Sequence, residues 1–375
     1  MKRGNATNRV LDFYLGIPLL NTFASLRRRG VHPENPRRIG LLFNPALGDT
    51  LLASAVTQDI RSIYPEARLI LFATSANAAA AQLLPGIDAI ETLPITRPFE
   101  SIRILRQSGL DMMLDFTAWQ RITAFYTLMS GARFTVGFER KKQHRHRGYD
   151  KTAPHRGDCH ELENLRRLTY FLGARAHAAP RLLIPDLPLP EAASSGAEVI
   201  VFHPWASGAR SWLREWPDEC WVGLARELKS SGRCFLVTGS PADEARCQAL
   251  CQRLTTDGIP AQVLIGRKGI GEVARVLMHA KMLVSVNTGI MHLGAIVGTP
   301  TISINGPTSA DRWGPVGPRV ANVCPPDGSG GFLDLGFEYR GRTTDVMSKI
   351  SVADVMLAVH QLQCVIDDAG IAVGG

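Results

Sequence analysis

Several things are missing from this 375-residue sequence. No apolar run is long enough to cross a bilayer, which takes about 20 residues. The most apolar N-terminal stretch, RVLDFYLGIPLLNTFASLRRRG, is broken by Asp12 and has no clear small-residue cleavage site. It reads neither as a span nor as a signal peptide. The seven cysteines (Cys159, Cys220, Cys234, Cys247, Cys251, Cys324 and Cys364) are odd in number and form no framework. That argues against a disulfide scaffold and for reduced thiols in a cytoplasmic protein. Cys247 and Cys251 lie one helical turn apart without a second ligand pair, so they read as core residues. Cys159-His160, with His144, His146 and His155 nearby, matches no metal-site spacing. Aromatic residues do not interleave with arginine, so there is no stacking platform for nucleic acid. No DxD-like pair stands where a divalent ion would be needed.

What is present is the composition of a folded protein: 45% hydrophobic and 20% charged residues, which excludes global disorder. The length suits two domains, each able to bury its own core. The formal charge is +8, and most of the cations are arginine. The planar arginine fork matches phosphate bidentately, so an anionic partner is expected.

Strand and helix patterns alternate twice along the chain. The first series has strands at 39–44, 67–74, 89–95, 110–116 and 134–139. Helices follow at about 49–63, in SANAAAAQLLP, around 99–108 and in WQRITAFYTLMSG. Residues 140–167 turn strongly basic, first as a loop and then as a helix over about 159–172. A Pro, Ala, Ser and Gly-rich stretch at 181–198 has the character of a linker. The second series has strands VIVFHP, RCFLVTGS, AQVLIG, KMLVSVN and PTISING, with helices between them. Its first helix opens at Pro217 and ends by Gly232, and SVADVMLAVHQLQCVIDDAG closes the chain as a helix. Such alternation predicts α/β domains with parallel sheets, which bind ligands at the carboxyl ends of their strands. The N-terminal segment 9–29 has two readings. It is either a helix packed on the first domain or an interfacial helix whose Arg27, Arg28 and Arg29 meet anionic headgroups.

Four stretches carry candidate chemistry. In RRIGLLFNPALGDTLLAS, Pro45, Gly48 and Asp49 break a strand and a helix begins. Asp49 reads either as a helix cap or as a proton acceptor. In SVNTGIMHLGAIVGTP, a strand ends in Asn287-Thr288-Gly289 and a helix opens, with His292 one turn further in. The free N–H groups of such a helix start suit a phosphate, and His292 taken alone reads rather as a core-facing histidine held by a backbone carbonyl. In FHPWASGARSWLREWPDECW, Arg214 sits in a loop after a strand and is either a solvated charge or a fixed cation for a diphosphate. In VTGSPADEARC, Asp243 and Glu244 start a helix, as caps or as a carboxylate for two ribose hydroxyls.

Together with SVNTGIMHLGAIVGTPTISINGPTSADRWGP, these blocks resemble glycosyltransferase family 9, the ADP-heptose:lipopolysaccharide heptosyltransferases, over about residues 38–365. The resemblance implies a GT-B fold: two doubly wound Rossmann-like domains facing a cleft, with an N-terminal helix added. The expected boundaries are 1–36 for the helix and lead-in, 37–183 for the acceptor-side domain and 184–197 for a linker. The nucleotide-sugar domain is expected at 198–350, with a C-terminal helix and tail at 351–375. It further implies an inverting, metal-independent transferase that moves heptose from ADP-heptose to a lipopolysaccharide core acceptor. Asp49 stands at the catalytic base, Arg214 at the donor phosphates and Glu244, less surely Asp243, at the ribose. Thr288, Gly289 and His292 stand at the diphosphate turn. Asn287 departs from the family, which commonly has Asp there. The basic stretch with Arg140, Lys141, Lys142 and Arg145 falls on the acceptor side, where a phosphorylated lipid-linked glycan would suit it; the plain alternative is a solvated loop. No cofactor beyond the nucleotide sugar, no metal and no nucleic acid is implied, and the expected location is cytoplasmic or peripheral at the inner membrane face. Two alternatives stand beside this. One is a member using another nucleotide sugar for a different surface glycan. The other is a catalytically silent nucleotide-binding partner in envelope assembly.

Overall fold

The computed structural model describes residues 6–27, 29–43, 46–174, 177–194, 196–208, 210–267, 269–335, 339 and 344–371. Pro45 and Arg28, each singled out in the sequence, and Asn44, the last residue of the expected strand 39–44, lie outside the described residues. The chain divides into two compact units, with the boundary between Leu183 and Ile184.

The first unit runs through α1 (Ala6–Leu26), β1 (Arg38–Leu42), α2 (Leu47–Ile63), β2 (Arg68–Ala73), α3 (Ala78–Ala81) and β3 (Ala89–Thr92). It continues with α4 (Pro98–Gln107), β4 (Met112–Asp115), α5 (Arg121–Met129), β5 (Phe134–Glu139), β6 (Lys151–Pro154) and α6 (Glu161–Thr169). The sheet order is β3-β2-β1-β4-β5-β6, and every pairing is parallel. The central strands are apolar runs buried on both faces, as a covered parallel sheet requires. The strand series was expected to end at residue 139, yet β6 extends the sheet beside β5. Only Ala153 of this strand is buried, so the sequence carries no apolar run there. Its Pro154 is tolerated because the strand lies at the edge. The helix expected in SANAAAAQLLP is a single turn, α3.

Asp12, which interrupts the apolar N-terminal stretch, has a structural purpose. Its carboxylate accepts the backbone N–H groups of Arg121 and Ile122, both at 2.9 Å, and so caps the start of α5 from another helix. Gly16 lets α1 approach closely, since a Cβ there would fall 2.6 Å from Arg121 Cβ. Leu20 is fully buried, and the Phe23 ring meets Phe125 edge-on at 5.5 Å. The N-terminal helix is therefore packed on the first unit.

The second unit runs through α7 (Glu191–Ser194), β7 (Glu198–His203), α8 (Asp218–Leu228), β8 (Arg233–Gly239), α9 (Glu244–Thr256) and β9 (Ala261–Ile265). There follow α10 (Ile270–His279), β10 (Met282–Val286), α11 (Gly289–Ile296), β11 (Thr301–Ile304), α12 (Ala310–Trp313), β12 (Val320–Val323) and α13 (Val352–Ile371). The sheet order is β12-β11-β10-β7-β8-β9, again wholly parallel. Renumbered from its own first strand, this is the same 3-2-1-4-5-6 order as in the first unit. Strand β12 was not expected, because in VANV only Val323 is buried. Helix α8 stops at Leu228 rather than running to Gly232. Cys247 and Cys251 are buried in the core beside Trp221 and Phe235, as their spacing implied. Burial raises both thiols to about 12, so they are inert.

Candidate active site

In a 3-2-1-4-5-6 sheet the chain reverses direction of winding between its first and fourth strands, and a crevice opens at their carboxyl ends. In the second unit that point lies between β7 and β10. The turn after β10 carries Asn287, Thr288 and Gly289, and the loop after β7 carries Arg214. Glu244 opens the helix after β8, the next strand along. The topology thus gathers the sequence-predicted donor residues at the carboxyl ends of three adjacent strands of one sheet.

Each is held by its surroundings. Thr288 is the N-cap of α11, with extended backbone (φ −147°, ψ 177°) and no side-chain capping bond; its hydroxyl lies 3.5 Å from that of Ser285. The helix sits tightly on β10, because a Cβ on Gly294 would come 2.4 Å from Leu283 Cδ2. His292 is buried. Asn287 donates its side-chain amide to Asn305 Oδ1 at 2.7 Å and to the Trp313 carbonyl at 2.9 Å. Arg214 closes a short 3₁₀ turn, Ser211–Arg214, and its guanidinium donates to the Ser207 carbonyl. Buried Trp216 anchors that loop by donating to the Ile350 carbonyl at 2.8 Å.

The two acids at the start of α9 are used differently. Asp243 accepts from the Ser240 amide at 3.0 Å and from its hydroxyl at 2.5 Å, so it caps the 3₁₀ turn Pro241–Asp243 that leads into α9. Glu244 is half-buried and accepts from the exposed Arg267 at 2.5 Å, a surface pair of small energetic weight. His203, the last residue of β7, belongs to no motif in the sequence. It is buried, its Nδ1 lies 3.1 Å from the Thr238 carbonyl, and burial lowers its pKa to about 4. At neutral pH it is therefore an uncharged donor through Nδ1. The only sequence signal for it was a histidine as the last residue of a buried strand.

In the first unit the corresponding point lies between β1 and β4. Asp49 stands in the first turn of α2, directly after β1, and is buried. Its Oδ2 accepts the Ala46 amide at 3.3 Å, so the capping half of the sequence reading is present. Asn77 braces this turn by donating to the Phe43 carbonyl at 3.2 Å and to the Thr50 hydroxyl at 3.0 Å. The rings of Phe43 and Phe116, at the ends of β1 and β4, stack at 4.5 Å.

The basic stretch after β5 divides. Lys141 and Lys142 are exposed and Arg140 is partly so. Arg145 does not join them. Its side chain is fully buried, bonded to Asp115 at 3.0 Å, Thr117 at 3.1 Å and Tyr149 at 2.6 Å. The placement of Arg145 with the surface cations is thus corrected, because Asp115, the last residue of β4, draws it inward. Asp115 also accepts the Tyr149 hydroxyl at 2.7 Å, and burial keeps that hydroxyl far from ionising. Among the described residues no cluster of three or more His, Cys, Asp or Glu side chains could hold a metal ion.

The profile of glycosyltransferase family 9 (heptosyltransferase) matches residues 99–329. The chain belongs to this family. It is 34% identical over 122 residues to lipopolysaccharide heptosyltransferase 1 of Salmonella typhimurium, which is 32% of this chain and only 37% of that protein's length. It is 23% identical over 340 residues to lipopolysaccharide heptosyltransferase 3 of Escherichia coli, covering 84% of this chain and 96% of the other. The solved structure of the E. coli ADP-heptose lipopolysaccharide heptosyltransferase II superimposes with a TM-score of 0.68 at 17% identity, over 88% of this chain and 99% of that one. That likeness shows the fold: the two Rossmann-like units of this family 9 chain are those of the GT-B architecture.

Proposed function

We propose that this family 9 chain transfers heptose from ADP-heptose to a phosphorylated, lipid-linked lipopolysaccharide core acceptor, with inversion and without a divalent ion. The observation that carries the reading is that Arg214, Glu244 and the turn Asn287–Gly289 follow the carboxyl ends of three adjacent strands, β7, β8 and β10. The N-terminus of α11 offers unpaired N–H groups and a positive dipole to a diphosphate. Thr288 adds a hydroxyl, Gly289 a close backbone approach, and Arg214 a fixed cation. Negative charge that builds on the departing diphosphate is stabilised by these groups. Glu244 takes the ribose hydroxyls, releasing Arg267; Asp243, already committed as a cap, does not. His292 supports the turn from beneath.

Asp49 acts as the general base, accepting the proton of the acceptor hydroxyl as its oxygen attacks the anomeric carbon. The capping bond to Ala46 orients the carboxylate for this, so the two readings of Asp49 are compatible. Arg140, Lys141 and Lys142 meet phosphate or carboxylate groups of the acceptor. No cofactor beyond the nucleotide sugar takes part. The protein works in the cytoplasm at the inner membrane face, where such an acceptor lies.

The test is a panel of nucleotides read by thermal stabilisation, since a ligand that binds only the native state raises the melting temperature. ADP is expected to stabilise the protein more than UDP or GDP, with or without magnesium. Equal shifts for all three, or a shift seen only with magnesium, would overturn the donor assignment.

A further inference from the structure

Helix α1 buries one face against α5, and over residues 13–26 its exposed side is uncharged and mostly apolar, with Thr22 and Ser25 among the aromatic and aliphatic side chains. Tyr14 is 69% exposed, Leu15 59%, Phe13 46% and Leu26 78%, and Pro18 on the same side is exposed. A soluble surface helix normally turns charged groups outward, so an aromatic and aliphatic outer face points to a partner. No helix among the described residues is long and apolar enough to cross a membrane.

A covered ion pair, Arg121 with Asp12 at 3.2 Å, ties this face to a basic loop. The Arg121 guanidinium lies over the Phe13 ring, 5.0 Å from its centre, and the same group reaches the Lys142 carbonyl at 3.5 Å. That contact sets the exposed Lys141 and Lys142 beside the aromatic end of α1. The 3₁₀ turn Arg145–Gly148 also touches α1, with His146 and Arg147 facing solvent. The loop that presents them is held in place, with Lys142 and His144 in left-handed backbone conformations (φ 66° and 59°) and buried Arg145 tied to Asp115. The one acid on this part of α1, Asp12, is covered and engaged with α5.

We propose that the outer face of α1 and the adjoining loop form a docking surface for an anionic lipid bilayer. The helix lies in the plane of the interface, with Tyr14, Leu15 and Leu26 among the headgroups and upper chains. Lys141, Lys142 and Arg147 face lipid phosphates. A second copy of the chain is the poorer occupant, because a two-fold contact would bring the same cations of both copies together. The inference rests on and deepens the membrane location in the functional reading; it shares Lys141 and Lys142 with the acceptor side of that reading, while Tyr14, Leu15 and Leu26 stand apart from its catalytic, donor and acceptor residues.

The test is co-flotation of the full chain with vesicles of phosphatidylglycerol and phosphatidylethanolamine, against phosphatidylcholine alone. The wild type is expected to bind the anionic vesicles, to bind phosphatidylcholine weakly, and to release as salt rises from 0.1 to 0.5 M. The double variant Tyr14→Ser/Leu15→Ser removes exposed side chains and leaves Asp12, Gly16 and Leu20 in place. It is expected to lose at least about tenfold in vesicle binding with an unchanged melting temperature. Its stabilisation by ADP should equal that of the wild type, which separates this surface from the donor site. Vesicle binding by the variant equal to the wild type would overturn the proposal. So would a wild-type dimer that ignores vesicles and becomes monomeric in the variant.

Discussion

Asn287 donates its side-chain amide to the main-chain carbonyl of Trp313 at 2.9 Å, and a carbonyl can only accept. The same nitrogen donates to Asn305 Oδ1. Asn305 is itself oriented, because its own amide donates to the Ser303 carbonyl at 3.0 Å. Position 287 therefore faces two fixed acceptors, and a carboxylate there would set lone pairs against them. These two contacts suit an amide rather than a carboxylate at position 287. Asn287→Asp is expected to cost about 1–3 kcal/mol at pH 7.5. Part of this should return near pH 5, as the carboxyl gains a proton it can donate. Urea unfolding at the two pH values checks it; wild-type stability at both would contradict the latch.

His203 gives a second pH dependence. Its folded pKa of about 4 lies below the unfolded value of about 6.5. Above pH 6.5 neither state holds the proton, and the native state has its full stability. As pH falls from 6.5 toward 4, the unfolded chain takes up a proton that the folded chain refuses. Stability should fall over this window by up to about 3 kcal/mol. His203→Asn keeps a donor for the Thr238 carbonyl and removes the titration. Its melting temperature should drop less between pH 7 and 4.5 than that of the wild type.

Arg214 bears on the donor. Arg214→Ala is expected to weaken ADP binding by about 1–3 kcal/mol, as for a charge-assisted hydrogen bond. Arg214→Lys should recover part of this, since the charge returns without the fork. Calorimetric titration with ADP measures both; unaltered affinity in Arg214→Ala would make Arg214 only the brace of its own loop.

Arg145 bears on the fold instead. Arg145→Met leaves Asp115 buried without its cation, and a broken buried pair costs about 3–5 kcal/mol. The double variant Arg145→Met/Asp115→Asn should lose less than the two single losses added together. Additive losses in chemical unfolding would show that the two side chains do not act as a pair.

The α/β class, the two strand series and the strand-to-helix turn at 287–289 were legible because buried parallel strands write themselves as apolar runs, and helix starts carry Gly, Thr and Asp. The edge strands β6 and β12 were not, since Lys151–Pro154 and Val320–Val323 bury one residue each. Local sequence could not separate Arg145 from its basic neighbours, because what buries it is Asp115, thirty residues earlier. Asp12 looked like a break in an apolar helix until α5 stood opposite it. Asp49 was legible as a position, and both of its readings were open, because a first-turn carboxylate after a strand suits a cap and a base alike.

Asp49→Asn therefore tests the central claim most directly. Asparagine keeps a carbonyl oxygen for the Ala46 amide and gives up only a first-turn negative charge, so stability should fall by about 0.3–1 kcal/mol. It cannot take up a proton, and a general base supplies about 10²–10⁴-fold in rate. The measurement is single-turnover transfer from labelled ADP-heptose to a truncated core acceptor, beside a melting curve and an ADP titration of the same variant. The expected result is a near-wild-type melting temperature, retained ADP affinity and turnover at least about a hundredfold slower. Transfer at the wild-type rate would contradict the account and leave Asp49 as the cap of α2.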